Sequence, residues 1–379
     1  MEGHTRLVGT GQPRRHHYVP RFYLRAWGTN DRQINVFLIA RARPIVGASI
    51  RGQAYGRDFY GEDGDNERAL GDIEGAVAPA LQHLIASHEL PRQGSDEHSL
   101  LLTFVALQSL RTERAAAQAA AALHPVLQEY LHLVGDKAGL DTSGVELHLR
   151  RPQLLTLQAL EPFIIGTSDL VPLLLQAPRH LEFITSDNPV IMYNTFCEGV
   201  DYRGVTGVAC AGLQIFLPLA PTLALALVDP VAYGPRRDLC SSALRATPHD
   251  VRQINLLQVI GADKVLFYRG SDMPRALPRL LAGAVRHRAA PLARFDEFDE
   301  VGGGNSVVFQ SYSPMPNINL QLSFLDIRND ALSIPLHERA AMLRPIIQHV
   351  RQHMDAPDGA RETFRSRQFV RRRRSPQTG

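Results

Sequence analysis

Near residue 180 the hydrophobic pattern of this chain changes period, and that change restricts the fold more than any other feature. Before it, apolar residues recur at helical spacing. Leu70, Ile73, Val77, Leu81 and Leu84 mark a helix over Asn66–His88. Asp96–Leu123 predicts a second, capped by Ser95 or Asp96 and rich in alanine, with Pro125 breaking or kinking it before Val126–Val134 resumes. A third apolar helical segment is expected within Leu154–Leu175, interrupted at Gly166. After residue 180 the apolar runs are short and bounded by Pro, Gly or Asp. His180–Thr185, Leu213–Leu217, Leu223–Val228 and Lys264–Tyr268 read as strands, with a helix at Val251–Ile260. Val36–Ile39 is an earlier buried strand. Gly302–Gly304, after the acidic run Asp296–Glu300, reads as a hinge or hairpin loop flanked by strands Ser306–Tyr312 and Ile318–Leu325.

The expected class is α+β: a helical first half packed against a mixed or antiparallel sheet in the second half. A single domain spans 16–355, helical over about 60–175 and β-rich over about 180–330, closed by an amphipathic helix at 336–353. Residues 1–15 read as a flexible basic arm and 356–379 as a disordered arginine-rich tail.

Charge is distributed unevenly. The formal net charge of the 379 residues is +3, yet residues 1–57 carry +8, residues 361–379 carry +6, and the body between them −11. Any nucleic-acid contact is therefore expected at the ends, through Arg14, Arg15 and Arg21 and through Arg371, Arg372, Arg373 and Arg374. Cys197, Cys210 and Cys240 include no close pair, which excludes a disulfide framework and zinc-finger spacing. The Arg- and His-rich N-terminus has no apolar signal core, and Leu213–Val228 is too short and too interrupted to span a bilayer. A cytoplasmic chain without a membrane partner is the expectation. No Walker loop, GxGxxG, GxSxG or HExxH is present.

His16-His17-Tyr18-Val19-Pro20-Arg21-Phe22-Tyr23-Leu24 is the most unusual segment. On an extended strand the two imidazoles point opposite ways, so one can face a site. HHYVPRFYLRAW resembles the opening signature of a bacterial family of unknown function with an HYVP motif. The likeness continues through Asp58–Glu74, Leu101–Ala115, FITSDNPV at Phe183–Val190 and Phe216–Leu227, covering roughly residues 16–270. That resemblance implies a set of positions rather than a mechanism. His-His-x-x-Pro is also similar to the first strand of HNH nucleases. By that likeness His16 would bind metal, His17 would activate water, and Asn30 or Asn35 would orient it. No helix with the expected last histidine follows, and the usual cysteine pairs are missing.

Glu74 and Arg111 both fall on apolar helix faces, which predicts a buried or cleft-lining ion pair, or an anionic ligand held by Arg111 with Arg114 beside it. Thr185-Ser186-Asp187-Asn188-Pro189 ends a strand in a turn, so Asp187 or Asn188 is placed either to serve a site or to form an Asx-turn. Together these residues suggest a phosphodiesterase or nuclease acting on RNA or DNA. In that reading His17 is the general base, Arg111 and Asn188 stabilise charge, and His16, Asp187 and Glu74 hold a divalent Mg or Mn ion. The competing readings are a non-catalytic binding protein in which HHYVP is a structural strap, and a sensor of a small anionic ligand.

Overall fold

The computed structural model describes residues 15–61, 64–200, 203–235, 243–288, 290–300, 307–353 and 369–371. The chain opens with strand β1 (Arg15–His17), the short helix α1 (Arg21–Leu24), and strands β2 (Gly28–Asn30), β3 (Gln33–Leu38), β4 (Arg43–Ser49) and β5 (Tyr55–Arg57). Helices α2 (Asp65–Ser87), α3 (Asp96–Leu110), α4 (Glu113–Ala138), α5 (Pro152–Leu157) and α6 (Leu160–Thr167) follow. Strands then dominate: β6 (Val171–Gln176), β7 (Thr185–Ser186), β8 (Ile191–Tyr193), β9 (Gln214–Ala220), β10 (Leu223–Val228), β11 (Tyr233–Pro235) and β12 (Leu244–Arg245). Helix α7 (Pro248–Gly261), β13 (Val265–Tyr268), α8 (Met273–Arg288), β14 (Arg294–Glu300), β15 (Val307–Tyr312) and β16 (Leu325–Ile327) come next. Helices α9 (Asn329–Leu332), α10 (Leu336–Arg339) and α11 (Pro345–His353) and strand β17 (Phe369–Arg371) complete the described chain. The class is α+β.

A five-stranded sheet in the order β12-β6-β10-β9-β8 forms the centre. Its inner strands β9 and β10 are buried on both faces, which is why Leu213–Val228 reads as one apolar run. Side chains alternate across it. Leu213, Ile215, Leu217, Leu219, Leu223, Leu225 and Leu227 pack with the N-terminal segment and with α2 and α3. Phe216, Ala224, Ala226 and Val228 join a second core on the opposite face, with Val251, Ile254 and Leu257 of α7. A second sheet, β2-β3-β13-β7 with β4 also on β3, joins the beginning of the chain to residues 265–268.

Several boundaries differ from the periodicity reading. The Asp96–Leu123 helix is two helices: α3 stops at Leu110, Arg111 is its C-cap, and Thr112 caps α4 by accepting from Ala115 N at 3.1 Å. Helix α4 then runs through Pro125 without ending. Val171–Gln176 is a strand rather than the end of a helix, because so short an apolar run fits either period and pairing with β10 decides. Of His180–Thr185 only Thr185 is in a strand, β7 with Ser186, and Ile318–Phe324 forms none. The acidic run lies inside β14, paired with β15; the Gly302–Gly304 loop lies outside the described residues. The closing helix is split into α10 and α11, between which Arg344 donates to Asp169 and to the carbonyls of Gly166 and Val208. Of the tail, only Phe369–Arg371 is described, and it pairs with β14, so that stretch is not free chain.

Candidate functional site

The HHYVP segment is built into the molecule at every residue. β1 pairs with β5, setting His16 opposite Gly56 and His17 opposite Tyr55. Tyr18 N and Val19 N both donate to Ala54 O, at 3.0 and 3.5 Å. Pro20 is extended and starts α1, whose Tyr23 hydroxyl reaches Pro218 O and Thr185 Oγ1, each at 2.6 Å. Trp27 Nε1 donates to Phe183 O at 3.2 Å. The segment thus straps the two sheets together.

Strand alternation sends His16 inward and His17 toward the rim. His16 is 1% exposed, stacked 5.9 Å from the Tyr60 ring, and its Nδ1 accepts from Tyr60 N at 3.2 Å. A neutral imidazole that accepts at Nδ1 carries its proton at Nε2, and this Nε2 has no partner. His16 is therefore a donor, which does not suit a metal ligand. His17 is the reverse. Its Nδ1 lies 3.0 Å from Gln53 O and must donate there, which leaves the Nε2 lone pair available. Burial, with the nearby Arg21, Arg111 and Arg15 cations, lowers its pKa to about 4, so it is neutral near pH 7. The register puts Arg57 opposite Arg15, whose guanidinium sits 4.9 Å from the Tyr55 ring centroid. A cationic rim therefore lies beside His17; Tyr55 and Arg57 enter it through the β1–β5 pairing and Gln53 through its backbone carbonyl, which composition does not reveal.

The predicted Glu74–Arg111 contact is present at 2.7 Å. Arg111 is fully buried, and with the Gln108 amide oriented to suit its neighbours, Gln108 Oε1 accepts from Arg111 Nε at 2.7 Å and from Nη2 at 3.0 Å. All three guanidinium nitrogens are engaged, so Arg111 is a structural lock and does not face a ligand. Glu67, half-buried beside the same group, has its pKa raised by burial.

Asp187 and Asn188 form a brace. Asp187 accepts from the backbone N–H groups of Asp263, Lys264 and Val265 at 2.8, 2.7 and 3.1 Å, while burial pushes its pKa up to about 6. Asn188 accepts from Thr112 Oγ1 at 2.8 Å and donates to Gly261 O at 3.0 Å, tying the α4 cap to the end of α7. Among the described residues no group of three potential metal-ligand atoms includes His16, Glu74 or Asp187. His16 is a donor here and three of the roughly four acceptor sites of Asp187 are taken by N–H groups, so these side chains are engaged within the fold. Asn35 binds Arg269 O and Gly47 N, and Asn30 closes the turn to Gln33, so neither orients His17. Arg14 and Arg372–Arg374 lie outside the described residues.

Asn188 also lines a cavity of about 490 Å³ between the helical and β-rich parts. Its walls include Met192, Ile260 and Met315, and Arg114 and Gln118 of α4 face it. Arg114 makes no hydrogen bond or ion pair among the described residues; burial lowers its pKa, and Asp263 and Asp187 act on it only through space. Arg288 adds a second cation nearby while capping the Val259 and Ala262 carbonyls of α7.

The model of a family described as "Protein of unknown function (DUF4238)" matches residues 15–272. The chain belongs to that family. No curated protein and no solved structure matches it. The DUF4238 region begins at the first residue of β1 and ends just after β13, so it contains the strap, His17, the Arg111 lock and the Arg114 side of the cavity. Among the described residues no helix is long and apolar enough to cross a membrane.

Proposed function

We propose that this DUF4238 chain binds a small organic anion with an apolar body in the cavity at Arg114. The observation that carries the reading is a half-buried guanidinium without a hydrogen-bonding partner, facing a cavity of ligand size whose walls mix apolar side chains such as Met192, Ile260 and Met315 with neutral polar ones. The anion-sensing role expected of Arg111 passes to Arg114, because Arg111 is neutralised by Glu74 and its other nitrogens donate to Gln108. Asn188 and Gln118 supply neutral polar contacts at the same wall. Calorimetric titration with octanoate, phenylacetate and phenyl phosphate, on wild type and Arg114→Gln, tests it. Saturable binding of at least one probe, weakened about tenfold or more by the substitution, is expected. Absence of saturable binding by all three, or equal affinity in the variant, would overturn it.

A second reading is favoured by the His17 tautomer: a phosphodiester of RNA or DNA docks on Arg15, Arg21 and Arg57, and His17 Nε2 takes a proton from a water whose oxygen adds to phosphorus. As the P–O bond to the leaving oxygen breaks, the imidazolium returns that proton to it. Burial is the larger cause of this imidazole's lowered pKa; a bound phosphate would offset only the smaller part that comes from the arginines. Action in the cytoplasm, on nucleic acid held also by the arginine tail, belongs to this reading. Degradation of mixed RNA and DNA is compared between wild type and His17→Ala, with Mg²⁺ or Mn²⁺ and with chelator. Loss of cleavage in the variant supports it; equal rates in the two proteins sink it.

A further inference from the structure

We propose that His124, Glu146 and His148 form a zinc-type divalent cation site, separate from both the Arg114 cavity and the His17 rim. Helix α4 sets His124, Gln128 and His132 four residues apart on one face. The chain after Gly139, which closes α4 at φ +68°, folds back along that face. Leu140 N donates to Gly135 O at 2.9 Å, and His132 Nδ1 pairs with Thr142 Oγ1 at 2.9 Å. The approach is close enough that a Cβ on Gly135 would lie 2.5 Å from Thr142 Cγ2.

Gln128 then fixes the segment that carries the carboxylate. Its Nε2 donates to Val145 O at 2.6 Å and its Oε1 accepts from Leu147 N at 3.1 Å, gripping both chain neighbours of Glu146. Glu146 stands between two imidazoles, Oε1 at 3.5 Å from His124 Nε2 and Oε2 at 3.5 Å from His148 Nε2. One ligand atom from each of the three residues lies within 4.8 Å of the others. His124 Nε2 is shielded from solvent and has no hydrogen-bond partner.

The spacing separates a cation site from a hydrogen-bonded triad. A direct N–H···O bond would close to about 2.7–3.2 Å. Two ligands held tetrahedrally at about 2.0–2.2 Å from one ion stand about 3.3–3.5 Å apart. Each observed N···O separation, 3.5 Å, lies beyond a direct hydrogen bond and near the second value. The two imidazoles face different carboxylate oxygens, however, so binding one ion requires a small turn of Glu146 to bring one oxygen to both. Two imidazoles favour zinc or a similar late transition ion over magnesium. Three protein ligands, two of them largely exposed, leave the fourth position to water or an external ligand. A bound ion would pin the returning loop onto α4.

The test uses the full chain stripped with chelator, dialysed against micromolar Zn²⁺ and assayed for metal content, then loaded with Co²⁺ for its visible spectrum. A single tightly held equivalent and a tetrahedral-type Co²⁺ spectrum are expected. His148→Ala is exposed enough to fold normally, and His124→Ala keeps a good helix former; each should lose the bound equivalent and the spectrum. Gln128→Ala, which removes no ligand but frees the segment that carries Glu146, should weaken binding about tenfold. The control His180→Ala should retain it. No stoichiometric zinc in wild type, or unchanged binding in both histidine variants, overturns the proposal.

Discussion

His16 and His17 are chain neighbours, yet the partners of their Nδ1 atoms give them opposite chemistry: one must donate from Nε2, the other can accept there. For His17 this has a pH consequence. Below pH 6.5 an unfolded chain takes up a proton on this imidazole that the folded chain refuses until about pH 4. Its contribution to stability therefore falls as pH drops through that window. Asp187 acts in the opposite sense, since its carboxyl is raised to about 6 and its contribution is lost as pH rises through that value. We expect the His17 ring protons to titrate near pH 4 by NMR, and His17→Gln to flatten the fall in melting temperature between pH 6.5 and 4. A midpoint near the ordinary 6.5 would remove the basis for a neutral base in a cationic rim. The Arg111 lock yields a second expectation. Glu74→Ala leaves a fully buried guanidinium short of its counter-charge and should destabilise the fold by about 2–3 kcal/mol, below the usual range for a buried pair because Glu74 is partly exposed. Adding Arg111→Met should recover part of that loss in chemical denaturation.

At the scale of elements, the break between α3 and α4 organises the junction. Thr112 is both the N-cap of α4 and the donor to Asn188, so one hydroxyl serves two elements. Thr112→Ala should cost about 1–2 kcal/mol by denaturant melting, and Thr112→Ser should restore most of it. The break was poorly legible beforehand because leucines and alanines run through both helices, so the apolar stripe shows no gap where the backbone turns. Pro125, the obvious local signal, points to the wrong place. α2 was legible for the opposite reason: Leu70, Val77, Leu81 and Leu84 are buried at helical spacing, and no large apolar residue except the half-buried Ile73 lies between them. The Glu74–Arg111 contact could be read from charges on apolar faces. Arg114 could be read only as its neighbour, since its cavity is closed by residues near 191, 260 and 315 that no spacing connects. His124, Glu146 and His148 left no signal, because the loop reversal that gathers them depends on Gln128 bonding to backbone.

Over the whole molecule, the partition of charge has a structural counterpart in strand pairing. β17, from the arginine-rich end, adds to β14, whose sequence RFDEFDE carries the acidic run. Deleting 361–379 removes that strand together with a net +6 and should reduce both the affinity for mixed RNA and its dependence on salt, measured by filter retention at two ionic strengths. An unchanged salt slope would place any polyanion contact elsewhere. The α+β division was legible from the change of period near 180. The sheet formed by the first fifty residues was not, because β3 owes its place to a partner more than two hundred residues away.

That pairing sets a timetable for synthesis. β3 ends at Leu38 and finds β13 only at Val265–Tyr268, while Tyr23 and Trp27 need Pro218, Thr185 and Phe183. A ribosome adding about 5–20 residues per second needs on the order of ten to fifty seconds between making the strap and making its seat. Throughout that interval the aromatic opening segment is a nascent chain without its docking surface, open to chaperones. Chains arrested before residue 268 should stay protease-sensitive from their first strand onward, and protection should arrive in one step once β13 has left the exit tunnel.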